Sequence, residues 1–127
     1  MTCFWDGILN TLTDRDFEKF NFQKMPNSEF VLFLKKFNKK TKNVTWNNEQ
    51  FSEKQLDENF THIKDFDYHS IRNGYDCSSC DPFLILICEL FSVSIDHNYR
   101  GYMIKYQNVN SKRILRFGSN SGHFYNN

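Results

Sequence analysis

The stretch Cys3-Phe4-Trp5-Asp6-Gly7-Ile8-Leu9 opens the chain and predicts a short amphipathic helix. Phe4, Ile8 and Leu12 recur at helical spacing, so we expect the helix to run from about Phe4 to Leu12. Asp6 falls in its first turn, where a carboxylate suits the positive end of the helix dipole. Cys3 would then stand at the helix N-terminus, where the dipole favours thiolate over thiol.

The other end of the chain, Asn120-Ser121-Gly122-His123-Phe124-Tyr125, supplies a histidine that opens a short strand. An activated cysteine paired with a histidine base is the starting arrangement of a papain-type cysteine hydrolase. We therefore take Cys3 as a candidate nucleophile and His123 as its candidate base. The alternative is a buried structural cysteine and an ordinary strand histidine, because a single residue of each type is a weak signal.

Composition limits the classes of protein to be considered. The 127 residues, 39% of them hydrophobic, suffice for one domain spanning 1–127 with one core. A net charge of +1 lacks the basic excess of a nucleic-acid binder.

The longest apolar run, Phe83 to Cys88, is too short to span a bilayer, and no signal peptide precedes Cys3. We expect a soluble cytoplasmic protein with reduced cysteines and no membrane partner. Its oligomeric state stays open.

Several helix starts can be recognised locally. Pro26 precedes two capping residues and a helix from Glu29 to about Lys39, and Ser52-Glu53-Lys54-Gln55 matches a capping box before a helix to about Lys64. Asp81-Pro82 is an N-cap followed by proline at the first helical position. The residues from Phe83 to Phe91 are apolar almost all round, so this helix should be buried.

Four short strands are expected after Phe91. They comprise Ser92–Ile95, Tyr102–Tyr106, Arg113–Phe117 and His123–Tyr125, with a hairpin turn at Asn108-Val109-Asn110. Val44 to Trp46 could be a further strand or an extended loop. Helices followed by a small antiparallel sheet indicate the α+β class.

Cys77-Ser78-Ser79-Cys80 has the spacing of half a zinc site. His62 and His69 could complete it, but the simpler interpretation is two loop thiols near a capping aspartate, so no metal or cofactor is predicted. His97 and Tyr99 could line a cleft, although a solvated turn is the stronger interpretation.

The order of these parts resembles ovarian-tumour-type (OTU-like) cysteine proteases, which have a papain-like fold. Cys3-Phe4-Trp5-Asp6 is similar to that family's cysteine helix, and Leu84–Phe91 with Val93-Ser94-Ile95 is similar to its buried helix and the strand after it. Its last strands, ending in histidine and an aromatic residue, are similar to Ile104–Tyr106, Ile114–Phe117 and Gly122-His123-Phe124. Residues 13 to about 75 match nothing in the family.

The resemblance implies a thiol protease, specifically a deubiquitinase or isopeptidase, that acts on the tail of ubiquitin or a ubiquitin-like protein. Two placements stay open: a small viral branch of the family, located in host cytoplasm or the virion, or a papain-like relative. The family's orienting Asp or Asn commonly stands two residues after the histidine, where this chain has Tyr125. Strand alternation turns Asn126 the other way, so Asn126 is the candidate third residue if a bulge intervenes, with Asp6, Asp16 and Asn120 as weaker options.

The rival hypothesis is a non-catalytic module of the same fold, for example a viral structural or host-factor-binding protein. A zinc-stabilised form of such a module would bind its metal at Cys77 and Cys80. The rival hypothesis predicts that Cys3 is buried or lies far from His123. The enzyme hypothesis requires their sulfur and imidazole within about hydrogen-bonding reach.

Overall fold

The computed structural model describes residues 3–120 and 123–126. Met1, Thr2, Ser121, Gly122 and Asn127 lie outside the described residues. The elements follow in the order α1 (Cys3–Leu9), α2 (Asp14–Glu18), α3 (Asn27–Lys36), β1 (Val44–Trp46), α4 (Glu53–Asp65), a 3₁₀ helix (Tyr68–Asn73), α5 (Pro82–Phe91), β2 (Ser94–Tyr99), β3 (Tyr102–Asn108), β4 (Ile114–Asn120) and β5 (His123–Asn126). The chain is therefore α+β, as its sequence predicts. No helix in the described ranges is long and apolar enough to cross a membrane.

The helix starts predicted at Ser52 and Asp81 are confirmed, whereas α3 begins at Asn27, directly after Pro26 and before the predicted start at Glu29. Ser52 caps α4, and its Oγ accepts a hydrogen bond from the Gln55 N–H. The Gln55 Oε1 in turn accepts one from the Ser52 N–H. Asp81 caps α5, and Pro82 takes the first helical position. The C-terminal ends of the helices were predicted less accurately, since α1 stops at Leu9 and α3 at Lys36, each one turn or less before the predicted end.

The strands form one five-stranded sheet in the order β1-β3-β2-β4-β5. Strands β2 and β4 are parallel, while the other neighbours are antiparallel. The prediction of an antiparallel sheet is therefore wrong, because the sheet is mixed. After β3 the chain reverses, and β4 pairs with the edge of β2 that β3 leaves free. Because β4 runs opposite to β3, and β3 runs opposite to β2, β4 is parallel to β2.

The hairpin predicted at residues 108–110 is also wrong, because β3 and β4 are not neighbours. The tight hairpin joins β2 to β3 through Arg100 and Gly101, both in the left-handed region with φ of 51° and 91°. Two successive positive φ values give a hairpin turn whose twist matches that of the strands. The segment after β3 instead crosses the start of β2, where Ser94 contacts both Asn108 and Ser111.

The helices cover one face of the sheet. Alternation places Ile95, Ile104, Tyr106, Phe117 and Phe124 on this face, and all of them are buried. They join one hydrophobic cluster with the apolar residues of α1, α3 and α5. The opposite face is largely exposed.

Glu89 on α5 fixes the segment that leads into β1. Its carboxylate accepts hydrogen bonds from the Thr41 hydroxyl, the Lys42 and Asn43 N–H groups and the Asn43 amide. Burial alone would raise the pKa of Glu89, but the hydrogen bonds outweigh it and hold the pKa at about 2. The ionised carboxylate is therefore stabilised by folding.

We expect Glu89→Gln to lower the free energy of unfolding at pH 7 by about 2 kcal/mol, because hydrogen bonds to a charged acceptor are lost. The folded pKa lies below the unfolded one, so this contribution is present above about pH 4.5 and is lost as the pH falls toward 2. Urea unfolding across that range should show the unfolding free energies of the wild type and Glu89→Gln converging at low pH. The exposed Glu58→Gln is the control. A constant difference would contradict this role.

Candidate active site

A pocket of about 230 Å³ opens where α1, one loop and one end of the sheet meet. Its walls come from the start of α1, from the loop before α5, from the β2–β3 hairpin and from the facing ends of β4 and β5. The residues that line it are Cys3, Phe4, Asn73, Gly74, Tyr75, Asp76, Cys77, Tyr99, Arg100, Ser119, Asn120, His123 and Phe124. It contains two thiols, Cys3 and Cys77, with charged and amide groups nearby.

Cys3 and His123 both line this pocket, although they come from opposite ends of the chain. Cys3 is half-buried at the first position of α1. His123 is exposed, and its ring stacks on Tyr125 with centroids 5.5 Å apart. Because Phe124 faces α1, alternation turns His123 toward the outer face of the sheet. Among the described residues, no hydrogen bond joins Cys3 to His123.

Asn126 lies on the same side of β5 as Phe124, next to α1. Its Oδ1 is 3.5 Å from the position that a Cβ on Gly7 would occupy. In contrast, Asn120 lies directly opposite His123 in the β4–β5 ladder and lines the pocket. Side chains at such paired positions are close neighbours, so Asn120 is better placed than Asn126 to orient the imidazole.

A second cysteine and histidine meet at the inner end of the pocket. The Cys77 Sγ lies 3.8 Å from the His97 Nε2 and 3.6 Å from the Ser119 Oγ, and 2.7 Å separates the Ser119 Oγ from the His97 Nε2. Burial lowers the pKa of His97 to about 4, so the imidazole is neutral at pH 7. Burial also raises the pKa of Cys77 to about 11.

The prediction that His97 occupies a solvated turn is wrong. β2 continues to Tyr99, and His97 is 0% exposed on the helix-covered face. The sequence contained an indication of this buried position, because His97 is two residues after Ile95 and shares its side of an extended strand. Ser119 had no such signal, since its proximity to His97 comes from the β2–β4 pairing.

The loop 74–80 is fixed to the core by Tyr75. The Tyr75 ring packs against Phe4, Trp5 and Phe83, with centroids 4.7, 5.4 and 5.3 Å away. Its hydroxyl donates to the Asp81 Oδ2 at 2.9 Å. The aromatic residues of α1 and α5 therefore determine where the loop lies over the pocket.

Asp81 holds the other end of the loop. Its side chain is fully buried and accepts from the Tyr75 hydroxyl and from the Ser78 and Phe83 N–H groups. Its own N–H donates to the Tyr106 hydroxyl, which in turn donates to the Ser79 carbonyl. Burial raises the pKa of Asp81, although these hydrogen bonds favour the ionised form.

The residues proposed for a zinc site are not brought together. His62 contacts Tyr75, and His69 packs on Tyr68. Cys77 faces His97, and neither it nor Cys80 is paired in a disulfide. Residues 3–120 and 123–126 contain no group of three or more His, Cys, Asp or Glu side chains that could hold a metal ion.

Comparisons of this chain with family models, curated proteins and solved structures found no match. The OTU-like resemblance therefore continues to rest on the residues quoted for it.

We expect Asp81→Asn to lower the free energy of unfolding by about 3 kcal/mol, because the amide cannot accept all three of the bonds that the carboxylate accepts. The matched control is Asp76→Asn, an exposed loop carboxylate whose replacement should cost about 0.5 kcal/mol or less. Denaturant unfolding measures both. Equal effects of the two variants would show that Asp81 does not hold the loop.

Proposed function

We propose that the protein is a thiol-dependent hydrolase of peptide or isopeptide bonds, with Cys3 as nucleophile and His123 as base. The observation that supports it is the placement of both residues on one open pocket. His123 would take the thiol proton, and the thiolate would attack the carbonyl carbon. The amine would leave with that proton, and water would then hydrolyse the thioester.

The pocket offers hydrogen-bond donors for the oxyanion that forms in this reaction. Arg100 and Asn120 line it, and the backbone N–H groups at the start of α1 lie beside Cys3. Asn120 is the residue we propose to orient His123, because the two face each other across the ladder. Asn126 stays a candidate from the sequence, but its side chain lies next to α1.

The reaction requires one change in the structure. The His123 ring must leave Tyr125 and turn from the outer face toward Cys3. An exposed side chain at the end of a strand changes rotamer within nanoseconds, so this change is rapid. Catalytic contacts are often long in the absence of substrate and tighten in the complex.

The OTU-like resemblance supports the tail of ubiquitin or a ubiquitin-like protein as the substrate class. Within the described residues β5 pairs only with β4, so its outer edge is open beside the pocket. An extended peptide can add to such an edge through its main chain. A tail bound in this way would bring its last carbonyl toward Cys3.

A second candidate function is a non-catalytic binding module of the same fold. The stacking of His123 on Tyr125, away from Cys3, favours it. In that case the open edge of β5 would bind a partner without cleavage.

The test is reaction of the protein with ubiquitin that carries a C-terminal electrophile, read by mass spectrometry with the modified residue mapped. We expect one adduct on Cys3, absent in Cys3→Ala and slowed about a hundredfold or more in His123→Ala. Cys80→Ala is the matched control, since Cys80 is half-buried but does not line the pocket, and it should react like the wild type.

The absence of any adduct, with Cys3 also inert to a small alkylating reagent, would contradict the hydrolase and favour the binding module. Rapid alkylation of Cys3 without reaction with the ubiquitin probe would retain the chemistry and exclude this substrate.

A further inference from the structure

Cys77, Ser119 and His97 form a chain of contacts. The Cys77 thiol donates to the Ser119 Oγ, and 2.7 Å separates that oxygen from the His97 Nε2. With the proton of the neutral imidazole on Nδ1, the Ser119 hydroxyl donates to Nε2. In that tautomer the chain of contacts connects the thiol to the imidazole through the hydroxyl.

Burying His97 at this position lowers the stability of the fold, and a purely structural role does not explain that cost. It is 0% exposed, and its Nδ1 has no hydrogen-bond partner among the described residues. Leaving a buried polar atom unpaired costs about 1–3 kcal/mol, and its strand neighbours Ile95 and Phe117 show that apolar side chains fit this face. The cost is explained if the imidazole serves as a base for the groups at the pocket.

Cys77 is the most exposed member of this group. Cys77 and Ser119 both line the pocket, but Cys77 is half-buried, whereas Ser119 is 4% exposed and His97 is 0% exposed. Sulfur is also the better nucleophile of the two side chains that donate toward the imidazole. The enclosed position and the pocket volume of about 230 Å³ suit a small molecule rather than a folded substrate.

We propose that Cys77 is a second nucleophile of this pocket, which takes the acyl group of a small ester or thioester while Ser119 and His97 carry away its proton. This site is independent of the pair formed by Cys3 and His123.

In the reaction, the Cys77 sulfur forms a bond to the carbonyl carbon while its proton moves through Ser119 to the His97 Nε2. The carbon–oxygen or carbon–sulfur bond of the substrate then breaks, and the leaving alcohol or thiol receives that proton from His97. Water next attacks the thioester carbon and gives a proton through Ser119 to the His97 Nε2. The carbon–sulfur bond to Cys77 breaks, the sulfur takes that proton back, and a carboxylic acid is released.

Cys80 provides an internal control within the same loop. Both thiols are half-buried, and burial raises the pKa of each to about 11, so neither is a thiolate at neutral pH. Only Cys77 has an imidazole and a hydroxyl beside it. A difference in their acylation rates therefore does not come from thiol acidity. Because Cys77 lines the pocket and Cys80 does not, variants of His97 and Ser119 are needed to separate the effect of the base from that of access.

The experiment treats the full chain carrying Cys3→Ala with p-nitrophenyl acetate at pH 7.5 and follows acetylation of each cysteine by peptide mapping. We expect Cys77 to be acetylated at least about tenfold faster than Cys80. His97→Gln and Ser119→Ala should each reduce the Cys77 rate about tenfold or more and leave the Cys80 rate unchanged.

Equal rates at Cys77 and Cys80, or a Cys77 rate that neither variant changes, would overturn the proposal. Acetylation of Ser119 in place of Cys77 in the parent protein would overturn the assignment of the nucleophile. If circular dichroism shows that His97→Gln does not fold, Ser119→Ala decides the result. Because Cys3 is absent throughout, the outcome is separate from that of the ubiquitin probe.

Discussion

The buried carboxylate of Asp81 is the interaction on which the candidate active site depends. A carboxylate inside a protein is tolerated only when its oxygens are matched by donors, and here three donors match it. One oxygen caps α5 through the Phe83 N–H, while the other receives Tyr75 and Ser78. The same side chain thus begins the buried helix and ends the loop 74–80, so the position of the loop is set by the helix.

The sheet completes this arrangement from the other side. The Tyr106 hydroxyl receives the Asp81 N–H and donates to the Ser79 carbonyl, so β3 holds the loop against the ends of β2 and β4. Cys77 is consequently placed beside Ser119 and His97. The two histidines proposed as bases at the pocket differ in kind. His97 is enclosed and fixed, whereas His123 is exposed and free to change rotamer.

Features set by neighbouring residues could be predicted from the sequence, and features set by distant pairing could not. The cap at Asp81 and the capping box at Ser52 are local, and both helices begin where those residues place them. The parallel pairing of β2 with β4 joins residues about twenty positions apart and leaves no local pattern. Ser119 and His97 meet only through that pairing, so no local pattern in the sequence indicated their contact. The β2–β3 turn was missed because its first residue is Arg100 rather than the usual Asn or Asp.

The most direct test is the state of the His97 ring, read from a long-range ¹H–¹⁵N spectrum across a pH titration, with His97→Gln to assign the signals. If the pocket is built as described, His97 carries its proton on Nδ1, accepts through Nε2 and stays neutral until the pH approaches about 4. A proton on Nε2 at pH 7 would contradict the hydrogen-bond chain between this imidazole and Cys77, and titration near the ordinary histidine pKa of about 6.5 would contradict the enclosed position of the ring.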